Sequence, residues 1–292
     1  MDAESVGSGG AAEVTATPPR LGPVGEGERI VALDVLRGFA IYGILFMNIQ
    51  FFAMPLGKAI DPTSLADATT TERAVWAFIK IFFESKFFSL FSLMFGVGLI
   101  LQMQRAERAG RPFVGMYIRR LLVLMAIGLV HGVLLWYGDI LFIYSFVGFL
   151  LFFLRKLGAK ILLLLAVIAM LLSATCMGGV GAMGKVFADY QPNQATVEAT
   201  PADDTALELA EPGAEDSTPR WLEALAESRG NPQHPSYREA ERIAYREGPM
   251  RATIAVRAAS FAGMLFFTII SGFGLHVVSV FFLGAALMKW NF

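Results

Sequence analysis

Charged residues are scarce in this chain. They make up 17% of its 292 residues, against about a quarter in an ordinary soluble domain, and the shortage is uneven. Six stretches, 30–53, 76–102, 121–137, 139–154, 161–183 and 258–288, contain only Asp34, Arg37, Lys80, Glu84, Lys86 and Asp139; the other 43 of the 49 charges lie outside them. Continuous apolar runs of this kind exclude a soluble globular protein and a disordered one. They also exclude an outer-membrane barrel, whose strands alternate apolar and polar residues. Cysteine is nearly absent: Cys176 stands alone, so no intramolecular disulfide and no cysteine zinc site can form, and no metal is expected. Residues 1–29 lack an apolar core of seven or more residues, so no cleavable signal peptide is read there; the first span serves as its own targeting signal. No repeat recurs at any period from 20 to 50 residues.

What is present is apolar length. With 55% hydrophobic residues and a mean hydropathy of +0.56, the chain reads as an all-α polytopic membrane protein of six transmembrane helices. A seventh follows if Gly272 and Gly274 break the last run into a half-helix and a full crossing. Backbone groups in lipid must be satisfied within a helix, and about 20 residues span the bilayer core. Trp136-Tyr137-Gly138-Asp139 joins the third and fourth runs as a tight hairpin, with interfacial aromatics and a turn glycine. Basic residues cluster after the second span, at Arg105, Arg108, Arg111, Arg119 and Arg120, and after the fourth, at Arg155, Lys156 and Lys160. The positive-inside rule places both loops and the N-terminus in the cytoplasm, and the acidic segment 184–250 outside. The expected organisation is a disordered tail over 1–29, a five-span bundle over 30–183, an external loop over 184–250 with an amphipathic helix near 236–247, and a final transmembrane segment over 251–292.

The polar residues inside the runs are the candidate functional groups, because ionisable side chains in spans are functional candidates by default. Asp34 and Arg37 sit at i, i+3 in the first span and can pair. Arg37 then either snorkels to headgroups with Asp34 as partner or binds a phosphate or carboxylate beside a bundle cavity. Asn48 and Gln50 lie near the other end of that span and read as interhelical hydrogen-bonding groups. In the second span Lys80, Glu84, Ser85 and Lys86 form either an entrance salt bridge or a polar stripe facing a cavity, with Ser89 and Ser92 deeper in. His131 lies in the outer half of the third span, and the hairpin can bring Asp139 to it, orienting the imidazole as a base. The plainer alternative makes His131 an interhelical donor and Asp139 a helix cap. Gly128 and Gly132 form a GxxxG that admits a neighbouring helix beside the histidine. Gly179, Gly181 and Gly184 match G-x-G-x-x-G in the wrong context and are rejected as a nucleotide site. His276 is weakly placed, and His234 reads as a loop residue.

Three motifs in order carry a resemblance. They are Leu33-Asp34-Val35-Leu36-Arg37-Gly38-Phe39-Ala40 with Asn48, then Phe87-Phe88-Ser89-Leu90-Phe91-Ser92-Leu93-Met94-Phe95-Gly96, then Arg119-Arg120-Leu121-Leu122 through His131 to Trp136-Tyr137-Gly138-Asp139-Ile140-Leu141. Over about residues 28–158, and more weakly over 236–290 through Tyr237, Arg242 and the 282–288 run, the sequence resembles the YeiB-like family of bacterial inner-membrane proteins. The family's pattern continues beyond the last span with further helices and a Gly-Arg-x-Ala-x-Thr-Asn-Tyr signature absent here, so the resemblance implies an N-terminal portion of such a protein. The opening of the first span also resembles transmembrane acyltransferases of the heparan-glucosamine N-acetyltransferase type.

That second resemblance implies a leading expectation: acyl transfer from cytosolic acyl-CoA to an external, glycan or lipid-linked acceptor. Arg37, with Asp34 beside it and the Arg105–Arg120 loop nearby, would attract the acyl-CoA phosphates, and His131 with Asp139 would act as base or acyl acceptor. The alternatives are a transporter or permease component lined by Asn48, Glu84 and Lys86, and a non-catalytic membrane assembly partner. The lipid bilayer is the expected surrounding and a homo-oligomer the expected assembly; no nucleic-acid partner is expected.

Overall fold

The computed structural model describes residues 31–59, 68–110, 112–190 and 218–290. The tail 1–29 and most of the acidic half of the loop 184–250 lie outside the described residues. The described residues are helical throughout their regular elements: α1 (Val31–Ala53), α2 (Leu56–Ala59), α3 (Thr70–Phe82), α4 (Lys86–Arg108), α5 (Phe113–Val130), α6 (Leu141–Leu154), α7 (Ala159–Tyr190), α8 (Arg220–Glu227), α9 (Pro235–Arg246), α10 (Met250–Ile270) and α11 (Phe273–Lys289). A π-helical turn, His131–Leu135, closes α5. Five helical segments are long and apolar enough to cross a membrane, and α6 and α11 are shorter apolar helices. Large apolar side chains face outward, including Phe153 at 72% and Leu171 at 62% exposure. Such a surface is costly in water and matched in lipid, so this is an all-α polytopic membrane protein.

Local chemistry sets most boundaries. Thr69 accepts from the Glu72 N–H while the Glu72 carboxylate reaches back to the Thr69 N–H, a capping box that starts α3. Pro112, Pro235 and Pro249 stand at or beside the starts of α5, α9 and α10, where a missing N–H costs nothing. His234, read from sequence as a loop residue, lies in the loop just before α9 and caps it, its Nδ1 accepting from the Ser236 N–H at 3.2 Å.

Two breaks depart from the sequence expectation. The second run is two helices rather than one span: the chain turns at Phe83–Ser85, with Ser85 left-handed at φ 64°. The last run breaks at Gly272, φ 75°, as expected, but the helix before it is a full 21 residues rather than a half-helix, because it begins directly after Pro249. This helix has the length of a span, and its middle packs beside the π turn that follows α5. Phe261 packs on Gly132 and Arg257 bonds the Leu134 carbonyl, while Gly272 lies against Ser173 and Cys176. Helix α11 then runs to Lys289, whose ammonium donates to the Arg155 and Leu157 carbonyls at 2.6 and 2.7 Å.

The core forms where α11 lies between α4 and α7 and touches α6. Leu99, Ile100, Tyr144, Leu151, Leu162 and Phe281 are fully buried there, and the Tyr144 and Ser92 hydroxyls bond at 2.5 Å. The approach is closest where a Cβ at Gly96 would collide with the Phe281 carbonyl, and one at Gly284 with the Leu93 carbonyl. Small residues that bring backbones together drive helix association in membranes, where lipid removes the hydrophobic drive between helices.

Candidate functional site

The residues that carry chemistry divide between the two ends of the bundle. At one end the α5–α6 hairpin joins His131 and Asp139: Nδ1 and Oδ2 are 2.9 Å apart. Asp139 Oδ1 accepts from the Phe142 N–H at 2.8 Å, so the carboxylate touches the imidazole and caps α6 at once. A carboxylate only accepts, so Nδ1 donates in this pair, and in the neutral imidazole Nε2 then carries the lone pair. Nε2 has no partner among the described residues, and the side chain is 34% exposed while that of Asp139 is 1% exposed. The glycines work as expected: a Cβ at Gly128 would strike the start of α6, and one at Gly132 the ring of Phe261. The π turn beginning at His131 closes with the Trp136 N–H donating to the His131 carbonyl at 2.8 Å, a local irregularity often found at functional sites.

At the opposite end a cleft of about 490 Å³ opens between α1, α4 and α5. Arg37, Arg119 and Arg120 line it with Gln102 and Tyr117, and Phe91, Phe95, Leu124 and Ile127 supply apolar walls. Arg37 reaches over Gly98 and holds Asp34 at 3.2 Å; Arg120 donates to Gln102. The Tyr117 hydroxyl is buried and has no partner among the described residues. The cleft and the histidine share a helix face: Arg120, Leu124, Ile127 and His131 follow i, i+4, i+7, i+11 spacing. Roughly 16 Å of helix separates Arg120 from His131 at 1.5 Å per residue.

Other predicted residues stand apart. Glu84 is engaged by Lys80 at 2.6 Å, and Lys86 reaches only the Glu84 carbonyl at 3.5 Å; neither acid nor base lines either cavity described here. The entrance salt bridge, not the cavity stripe, is what forms. Asn48 and Gln50 are half-buried on α1, and the expected interhelical bonds do not form among the described residues. Sequence reasoning missed two features. His276 bonds Ser89 at 2.7 Å between α11 and α4, a contact 187 residues apart that spacing cannot reveal. Arg238, Arg242 and Arg246 form an i, i+4, i+8 stripe on α9, a signal that was readable.

That stripe faces a second, larger cavity of about 1130 Å³ at the histidine end, between the end of α1, the Trp136–Tyr137 turn and α9. Glu241, in its wall, is buried; the Leu56 N–H donates to its Oε1 at 3.4 Å, while Oε2 has no partner among the described residues. Burial holds the Glu241 carboxyl above its usual value of 4.5, with the Leu56 N–H opposing more weakly. A raised acid binds its proton more tightly when folded, so its favourable contribution is complete below 4.5 and is lost as pH rises through the folded value. Glu241→Gln keeps the acceptor and removes the titration. Its unfolding temperature is expected to exceed that of the parent at pH 7.5, on the scale of about 1 kcal/mol for one unpaired buried oxygen. The difference should vanish near pH 4.5, and a scan of unfolding temperature against pH in detergent checks it.

Fold and sites together define a helical membrane protein with an arginine-lined cleft at one end and an oriented imidazole at the other. The chain is 43% identical over 156 residues to the uncharacterized protein YxaH of Bacillus subtilis, covering 50% of this chain and 38% of YxaH. It is 39% identical over 121 residues to the uncharacterized protein YeiB of Escherichia coli, covering 41% of this chain and 30% of YeiB. An uncharacterized 39.9 kDa protein encoded in the amylase 3′ region of Bacillus acidopullulyticus is 35% identical over 129 residues, 44% of this chain and 35% of that protein. The chain thus spans about a third of the length of the curated relatives it matches. No family model matches the chain, and no solved structure matches it.

Proposed function

We propose that this protein is a bacterial inner-membrane acyltransferase, moving an acyl group from acyl-CoA to a hydroxyl or amine acceptor on the other side. Arg105, Arg108, Arg119, Arg120, Arg155, Lys156 and Lys160 gather toward one end of the bundle, which the positive-inside rule assigns to the cytoplasm. The observation that carries the reading is the single face of α5 that leads from Arg120, in the anion-attracting cleft, past Leu124 and Ile127 to the free Nε2 of His131. Guanidinium groups suit phosphates, the face past Leu124 and Ile127 gives the pantetheine arm a path to His131, and a donor set of arginines, Gln102 and the unpaired Tyr117 hydroxyl fits a polyphosphorylated carrier. The acceptor attacks the thioester carbonyl, and Nε2 takes the proton it loses. The C–S bond then breaks, and the departing thiolate receives that proton from the imidazolium, which Asp139 steadies.

The test is equilibrium binding of acetyl-CoA to the purified protein. Arg37→Ala or Arg120→Ala is expected to weaken binding about tenfold to a hundredfold, the worth of one charge-assisted contact. Absence of acetyl-CoA binding, or binding indifferent to both substitutions, would remove the assignment.

A further inference from the structure

The large cavity at the histidine end is not used by the chemistry above, and its lining has a marked chemistry of its own. Segment 184–250 holds 13 acidic and six basic residues, yet three of the six basics, Arg238, Arg242 and Arg246, lie on one stripe and all line this cavity, where Arg257 of α10 joins them. Of the four, Arg242 alone holds carboxylates, Glu239 at 2.7 Å and Glu247 at 3.2 Å. Arg257 is turned to the Leu134 carbonyl, the Tyr245 hydroxyl and the Tyr245 ring. Arg238, Arg246 and Arg257 have no acidic partner among the described residues. The opposite wall is apolar, and Phe52 and Leu135 within it are 56% and 64% exposed, continuous with the outward-facing apolar surface of the bundle.

We infer that this cavity binds the phosphate-bearing headgroup of an anionic lipid, the phosphate held by the α9 arginines and the start of the chain lying along Phe52 and Leu135. Unpaired guanidiniums select phosphate. The exposed apolar wall selects a ligand with a hydrocarbon tail, because a soluble phosphate would leave it bare. A volume of about 1130 Å³ accommodates a headgroup larger than phosphate alone. Neither Arg37 nor His131 takes part, so this inference stands or falls apart from acyl transfer.

The probe is dihexanoyl phosphatidic acid, titrated against the full chain in neutral detergent, with inorganic phosphate and dihexanoyl phosphatidylcholine measured alongside. The arginines of the stripe are exposed, so R238Q/R246Q leaves the buried Tyr237, Ala240 and Ala244 face of α9 intact, which circular dichroism verifies. Phosphatidic acid is expected to bind and to raise the unfolding temperature, more strongly than either comparison ligand. R238Q/R246Q should weaken it at least about tenfold, and R251Q, on α10 outside the cavity, should leave it unchanged. Undiminished binding by R238Q/R246Q, or equal weakening by R251Q, overturns the site. Inorganic phosphate binding as tightly as the lipid overturns the lipid assignment.

Discussion

Gly96→Val is expected to keep α4 and α11 apart and to lower stability by more than about 3 kcal/mol, above the usual 1–3 kcal/mol for an overpacked core position. The new Cβ would meet the Phe281 carbonyl oxygen and the Ala285 nitrogen, and backbone atoms within two long helices cannot turn aside as a side-chain tip does. The approach is reciprocal, since Gly284 faces the Leu93 carbonyl and the Val97 nitrogen, so Gly284→Val should act alike. Loss of this crossing also separates Ser89 from His276 and loosens the layer of Tyr144 and Phe281. Gly98→Ala on the same helix is the contrast: its nearest neighbour is the flexible Arg37 Nη2 at 3.3 Å, so stability should barely change. Thermal unfolding in detergent, with size-exclusion profiles, separates the two. A Gly96→Val protein as stable as the parent would show that the helices do not cross so closely.

Asp139→Asn is expected to lower the rate of acyl transfer by about 10²–10⁴-fold, the range of a lost general base, while acetyl-CoA binding is unchanged. The amide can keep its oxygen on the Phe142 N–H and so preserve the start of α6. Its NH₂ then faces His131 Nδ1, and two donors cannot face each other. The imidazole must move its proton to Nε2, the atom that has to accept. Asp139 is thus a positioning residue acting through His131, and His131→Ala should cost at least as much. The signature is a fall in kcat with KM held, together with unaltered thermal stability; a merely structural Asp139 would instead lower stability and leave the rate per folded molecule intact.

Much of this architecture was legible in the chain because lipid imposes blunt demands. Runs without charge became helices, Trp136–Asp139 became a tight hairpin, and Gly272 broke the last run, since only glycine tolerates its φ of 75° without strain. The turn at Phe83–Ser85 was not legible: it contains neither glycine nor proline, and Ser85 adopts its left-handed conformation inside an otherwise helical pattern. Among site residues, Asp139 could be joined to His131 because the two lie eight positions apart across one hairpin. Arg37 could be grouped with Arg120 only by charge and presumed side; that both line one cleft depends on α1 packing against α4. The pairing of Ser89 with His276 depends wholly on tertiary packing. The arginine stripe of α9 was within reach, since a helix near 236–247 was expected, but its arginines are interspersed with Glu239, Glu241 and Glu247.

The proposed function requires a carrier held at the arginines to send its pantetheine arm up α5 and to place its thioester at His131. The most direct measurement is photolabelling of the purified protein with an acyl-CoA bearing a diazirine on the acyl carbon next to the thioester carbonyl, followed by peptide mapping. Labelling is expected to concentrate on 124–131, to be displaced by unlabelled acyl-CoA and to be lost in R37A/R120A. Labelling that is displaced by acyl-CoA but falls on another helix, away from this face of α5, would contradict it.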